Sequence, residues 1–352
     1  MITLSAFGLE KELINPANFF STTWKTKSFI NGESVSKFEK EFKDYCNAPD
    51  CVAVSSCTSA LQLSLLALNV VPGDEVITVP YTWISTVEAI KQVGATPIFV
   101  DINPDDLCMD PKDISNKITS RTKAIITVDL YGNVSDIDAL LEHKIPIIED
   151  AAQSTGALYK GKRVGGLSHL TCFSFYPTKN LGSWGDAGAV TGMPEYTEVI
   201  RELRNHGQSE KFKVNRVGWN ARMDSIQAEI LVNKLPLLDT HNKRRREIAS
   251  MYDEALRDVV HVPVQNQHSL HVYHQYVIQS EHTKHIKDVL ASKNIQSRTY
   301  YPTPINELEP YRTNETFPNS QYAGRQGLAI PVHQYLTNKE VTFIIDTIKE
   351  AL

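Results

Sequence analysis

The sequence predicts an α/β protein: a large layered domain on a mostly parallel sheet, followed by a small α+β domain. Its 352 residues exceed what one hydrophobic core usually fills. Short apolar runs alternate with amphipathic helical stretches as far as Phe175, the pattern of parallel strands joined by helical crossovers. After Met223 the alternation gives way to a long, highly charged helical region, so the boundary is placed near residue 240, with 1–240 as the large domain and 241–352 as the small one.

In chain order, Phe38, Phe42 and Tyr45 space a helix over Val35–Tyr45, and Cys51–Ser55 reads as a short buried strand. A second helix carries Leu61, Leu65 and Leu68, with Thr58 or Ser59 as its cap, and Pro72-Gly73-Asp74 turns into a strand Glu75–Val79. Next come a helix near Trp83–Val93, a strand Thr96–Val100, a helix near Pro111–Ile118 and a strand Lys123–Val128. Helix Ser135–His143 and strands Ile145–Glu149 and Thr171–Phe175 complete the large domain's pattern. Helix Leu235–Leu256 leads into a strand Val272–Gln279, a helix His282–Ser292, a strand Gln296–Tyr301 and a last helix Asn338–Leu352. No repeat or low-complexity tract interrupts this order.

With 36 basic and 41 acidic side chains the net charge is -5, which gives no reason to expect nucleic acid or an anionic membrane as a partner. Met1–Glu10 has no basic region or long apolar segment, and no later stretch has the length of a membrane span, so a cytoplasmic protein is expected. The 5 cysteines form no C-x-x-C pair, so neither a disulfide framework nor a zinc site is indicated. His268, His271 and His274 make H-x-x-H-x-x-H, but strand alternation would not put all three on one face, so no metal is expected and a structural or substrate-proximal role is preferred. Lys243-Arg-Arg-Arg246 reads as a solvated helix face.

The chemistry concentrates on Lys179, in Phe173–Gly182 (FSFYPTKNLG), and Asp150, at the end of a predicted parallel strand. An amine nucleophile needs a carbonyl, and pyridoxal phosphate supplies one, held as a Schiff base to a lysine with an acid at its ring nitrogen. Open α/β sheets place ligands at strand carboxyl ends, which suits Asp150 for that acid, although a helix cap is an equal reading from its neighbourhood alone. Ser55–Ala60 is rich in small hydroxyl residues between strand and helix, a phosphate site or plain capping, and Ser174 offers a further hydroxyl. Trp83 presents a flat face for a ring, or is a core residue.

Taken together, PGDEVI (72–77), GATPIFVD (94–101), PIIEDAAQ (146–153), YKGKRVG (159–165), FSFYPTKNLG (173–182), GDAGAV (185–190), RNHG (204–207) and GWNARMD (218–224) make the chain resemble a known family from about residue 30 to its end. It resembles the DegT/DnrJ/EryC1/StrS family of pyridoxal-phosphate aminotransferases acting on nucleotide-linked keto sugars. The resemblance implies the fold type I architecture, similar to aspartate aminotransferase, with a large α/β/α domain. It implies that Lys179 carries the cofactor, Asp150 pairs with the pyridine nitrogen, Gln153 contacts the ring hydroxyl, Trp83 stacks on the ring, and Cys57, Thr58 and Ser174 hold the phosphate. Asn220 is expected to reach the phosphate of a second subunit, which implies a homodimer with shared active sites. Arg222, Tyr301 and Asn306 are candidate substrate contacts, with a surface salt bridge as the other reading of Arg222.

Two departures stand out. Cys57-Thr58 replaces the Gly-Thr common in the phosphate loop, which leaves the amides and a hydroxyl in place, and Asn306 replaces the last His of a Tyr-Pro-x-Pro-x-His pattern, which puts the carried-over sugar contacts in doubt. The implied reaction moves an amino group from an amino acid, by analogy glutamate, through pyridoxamine phosphate to the keto group of a nucleotide-diphosphate sugar, for polysaccharide or glycoside biosynthesis. The alternatives are another reaction of the same fold, a lyase or dehydratase, or a non-catalytic sensor. A sugar dehydratase is expected to carry His in place of Lys179. A sensor has no need to keep Lys179, Asp150 and the phosphate loop together.

Overall fold

The computed structural model describes residues 1–6, 8–9 and 21–352; Phe7 and Glu10 of the amino-terminal stretch lie outside the described residues. Seven strands form the central sheet: β1 (Asp50–Val54), β2 (Glu75–Thr78), β3 (Thr96–Phe99), β4 (Thr122–Val128), β5 (Ile147–Asp150), β6 (Leu170–Ser174) and β7 (Gly188–Gly192). Their order in space is β1-β7-β6-β5-β4-β2-β3. The five strands from β6 to β3 are parallel, and β7 runs antiparallel to both β1 and β6. The expected mostly parallel α/β sheet is present.

Alternation along each strand feeds two cores, one on each face. Ala53, Ile77, Ile147 and Phe173 enter one, packed against Phe38 and Phe42 of helix Glu33–Cys46. Val52, Val76, Ile148 and Cys172 enter the other, under Leu61 and Leu65 of helix Cys57–Ala67. A third core joins Ile248–Leu256, on helix Leu238–Leu256, to helices Thr283–Ser292 and Asn338–Glu350, with Ile2 packed against it.

Several expectations need correction. The cap of helix Cys57–Ala67 is Ser56, whose side chain accepts the Ser59 amide, because Thr58 and Ser59 already lie inside the first turn. Pro111–Asn116 is a 3-10 turn rather than an α-helix. Gln296–Tyr301 is no strand: Arg298 makes one isolated bridge to Ala329, and the true partner of Tyr276–Gln279 is Gly327–Ile330. The Lys243–Arg246 run is not a uniformly solvated face. Arg245 is buried and donates to the carbonyl oxygens of Tyr273 (3.2 Å) and Val332 (2.6 Å).

The histidine triplet separates. His271 is buried, stacks on Tyr273 at 3.9 Å and accepts the Tyr273 amide at 2.8 Å, whereas His268 lies beside Tyr159. Burial pushes His271 down to about 3 and His333 to about 4, from an ordinary 6.5. The unfolded chain therefore binds more protons than the folded one below pH 6.5, and these two groups favour the fold above that value. The melting temperature is expected to fall between pH 6.5 and 4, and thermal melts of H271Q should show a smaller drop over that window.

Candidate active site

A cavity of about 460 Å³ opens at the carboxyl ends of β4, β5 and β6, the place where open α/β sheets hold ligands. Cys57, Thr58, Trp83, Asp150, Gln153, Ser174, Lys179 and Tyr301 all line it. Residues from distant parts of the chain thus share one wall.

Asp150 ends β5 with its side chain buried. One carboxylate oxygen accepts the Thr86 hydroxyl at 2.8 Å, and Thr86 is itself 3.0 Å from the Thr82 hydroxyl. The other accepts the Ala152 amide at 3.2 Å and faces Cys57 Sγ at 3.8 Å. Burial pushes the carboxyl up from its ordinary value, and the Thr86 hydrogen bond is the largest influence in the other direction. The site thus resists an isolated negative charge and favours one matched by a cation.

Lys179 sits on the loop that follows β6, held from both sides. Its amide donates to the Tyr176 carbonyl at 2.9 Å, and Asn180 donates to Asn242 (2.8 Å) and to the Val272 carbonyl (3.1 Å). Gly182 lets the loop close, since a Cβ there would lie 2.4 Å from the Pro177 carbonyl oxygen. The Lys179 amine makes no ion pair among the described residues. Burial lowers its affinity for a proton, opposed by Cys57 and Asp150. More of it is free amine at neutral pH than for an exposed lysine.

Cys57 and Thr58 open helix Cys57–Ala67, so the first-turn amides that a helix leaves without intrahelical acceptors lie at the cavity wall. Thr58 donates to the Ser85 hydroxyl at 2.9 Å. Phe173 and Phe175 turn into the core, which leaves Ser174 between them facing the other way. Trp83 is 58% exposed, so it is no core residue, and its ring stands 5.9 Å from Tyr301. Gln153 accepts the Tyr131 amide at 3.0 Å and donates to the Tyr301 hydroxyl at 3.2 Å, which fixes its amide plane.

Three expected residues lie outside this chain's cavity. Asn220 is exposed and bridges Asn205. Arg222 donates to Asn205 at 3.0 Å and makes no ion pair among the described residues, so the surface salt bridge considered for it is not formed. Asn306 is buried and donates to the Glu315 carbonyl at 3.1 Å. Conversely, Thr82, Ser85, His274 and Arg298 line the cavity and Thr86 holds Asp150, none of them singled out from sequence apart from His274 in its triplet. His274 is 3.2 Å from Asn180, and burial, then Lys179 and Arg245, keep it neutral.

A model of the DegT/DnrJ/EryC1/StrS aminotransferase family matches residues 14–349. A UDP-2-acetamido-2-deoxy-3-oxo-D-glucuronate aminotransferase of Pseudomonas aeruginosa is 38% identical over 324 residues, covering 90% of this chain and 90% of the relative. A dTDP-3-amino-3,4,6-trideoxy-alpha-D-glucose transaminase of Streptomyces venezuelae is 37% identical over 334 residues, covering 92% of this chain and 88% of the relative. Among solved structures, NtdA from Bacillus subtilis with bound pyridoxamine phosphate (PMP) superposes with a TM-score of 0.90 at 28% identity, covering 99% of this chain and 82% of that one.

The residues present fit pyridoxal phosphate: a weakly basic buried amine, a buried carboxylate lacking a cation, and hydroxyls at a helix amino terminus. The Ser56–Cys57 segment packs on β7, where a Cβ at Gly188 would lie 2.5 Å from the Ser56 carbonyl carbon and 2.7 Å from the Cys57 amide nitrogen. Gly188→Ala is therefore expected to cost about 1–3 kcal/mol through overpacking, read as a lower melting temperature of the cofactor-free protein; an unchanged melt contradicts that packing.

Proposed function

The chain belongs to the DegT/DnrJ/EryC1/StrS aminotransferase family, and from that premise we propose that it transfers an amino group from L-glutamate to the keto group of a nucleotide-diphosphate-linked sugar. The observation that carries this reading is the meeting of Lys179 and Asp150 in one cavity beside a helix amino terminus. When bound, pyridoxal phosphate supplies the carbonyl that condenses with an amine and the ring that accepts electrons as a carbon–hydrogen bond breaks. Lys179 is the base: its amine takes the proton from the donor's α-carbon and, with the acceptor, returns one to the sugar carbon that gains nitrogen. Asp150 stabilises the protonated ring nitrogen by its charge, with Thr86 and the Ala152 amide keeping it ionised and oriented. Cys57, Thr58 and Ser174 would hold the phosphate, Trp83 would stack on the ring and Gln153 would contact its hydroxyl, all of them lining the cavity.

A homodimer completes the reading, with Asn220 and Arg222 serving the neighbouring cavity. Exposed Phe212, Val214 and Val217, near Asn220 in the chain, support such a contact face. All 5 cysteines are free and buried, which suits a reducing cytoplasmic setting. Division near residue 240 is kept as the proposed domain boundary, and the product is an amino sugar for polysaccharide or glycoside assembly.

The test is the visible spectrum of the holoenzyme without acceptor. Glutamate should bleach the yellow band, and a nucleotide keto sugar should restore it; a band that glutamate leaves unchanged refutes the donor. K179A should lose this conversion by several orders of magnitude, measured by stopped-flow absorbance. T86V removes a hydrogen bond to a charged group, worth about 1.5–3 kcal/mol, and so raises the Asp150 pKa. Cofactor affinity, measured by titration against pH, should begin to fall at a higher pH in T86V than in wild type.

A further inference from the structure

His274 enters the cofactor cavity with one ring nitrogen already committed, and its neighbours decide which one carries the proton. The Asn180 amide nitrogen donates to Asn242 Oδ1 at 2.8 Å and to the Val272 carbonyl at 3.1 Å. A carbonyl only accepts, so the Asn180 oxygen is the atom turned to His274 Nδ1, 3.2 Å away. That oxygen also only accepts, and Nδ1 therefore holds the hydrogen between them. The ring takes no second proton, because burial, then Lys179 and Arg245, oppose it. Its Nε2 is left as a bare lone pair.

This lone pair is fixed in place and unspent. The Gln275 amide donates to the Tyr131 carbonyl at 3.2 Å, and buried Arg245 reaches the His274 carbonyl at 3.5 Å, which holds the backbone on both sides of the ring's attachment. Nε2 makes no hydrogen bond among the described residues and is not sealed in by them, so it stays open to the cavity that the ring lines. Only a ligand that donates a hydrogen bond satisfies it. Glutamate does not: once its nitrogen has reacted it presents carboxylates, which accept and repel a lone pair. A keto sugar does, because its hydroxyls donate. Asn180 follows Lys179 in the chain, so the ring is tied to the segment that carries the proton-transferring amine.

We propose that His274 is a specificity-determining residue for the acceptor, its Nε2 accepting a hydrogen bond from a hydroxyl on a carbon that flanks the keto group. The proposal rests on the aminotransferase reading above and narrows the substrate class to keto sugars that keep such a hydroxyl.

The experiment converts holoenzyme with glutamate, removes the glutamate, and follows return of the visible band. The acceptors are the nucleotide keto sugar that restores the band in wild type and its counterparts deoxygenated on either side of the keto carbon. H274N keeps an N–H for Asn180 but has nothing at the Nε2 position, whereas H274Q places an amide oxygen near it. With the hydroxylated sugar, the half-maximal concentration should rise roughly 3- to 10-fold in H274N. H274Q should recover part of that, and the glutamate step should move far less. One deoxy sugar should show the same loss in wild type and no further loss in H274N, as a direct contact requires. H274N that treats all of these sugars as wild type does overturns the proposal. So does a loss that persists with both deoxy sugars, or an equal loss in the glutamate step, each of which marks a structural role. Holoenzyme that glutamate bleaches but no keto sugar restores overturns the acceptor reading itself, and shows it without any variant.

Discussion

The structure depends on a buried carboxylate, Asp150, that meets no cationic side chain in contact among the described residues. Asp150 is locked at the end of β5 by Thr86 and the Ala152 amide, yet among the described residues no arginine or lysine pairs with it. Burying an ionised carboxylate without such a partner is costly, and the cost is reflected in its raised pKa. A protonated pyridine ring would answer that electrostatic demand, and Lys179 lines the same cavity as the proposed covalent anchor. Each group's shift runs in the direction the proposed chemistry would use: the lysine toward free amine, the aspartate toward needing a cation.

The sheet makes this pairing possible. Parallel strands β4, β5 and β6 end on one side, and the antiparallel β7 returns the chain beneath the Ser56–Thr58 segment, where Gly188 admits the Ser56–Cys57 backbone at a distance no side chain allows. Aromatic packing below the site, with Phe42 and Phe173 centroids 4.9 Å apart and nearly perpendicular, fixes β6 and hence Ser174 and the lysine loop. Strand ends thus carry Asp150 and Ser174, and the loop after β6 carries Lys179. The loop from Tyr300 and the segment around Arg298 form the opposite wall.

Much of this was legible in the sequence because it rests on local chemistry. Alternating apolar runs marked the parallel strands, and Lys179 and Asp150, paired from sequence, line one cavity. What was not legible depends on tertiary contact. β7, Gly-Ala-Val-Thr-Gly, has too few large apolar residues to signal a central strand, and it is buried only because β1 and β6 enclose it. Thr86 resembles any threonine early in a helix, and its role comes from where β5 ends. Arg245 sat in a basic run that suggested solvent, while three-dimensional packing turned its side chain onto inward-facing carbonyls. Asn306 and Arg222 were placed by motif position alone, and neither reaches this chain's cavity.

The central claim is that Lys179 is the residue that bonds the cofactor opposite Asp150. Borohydride reduction of the yellow holoenzyme fixes that bond permanently, and peptide mass mapping then locates it. The account predicts a single reduced pyridoxyl adduct on Lys179. An adduct on a different lysine, or none in protein that binds the cofactor stoichiometrically, contradicts it.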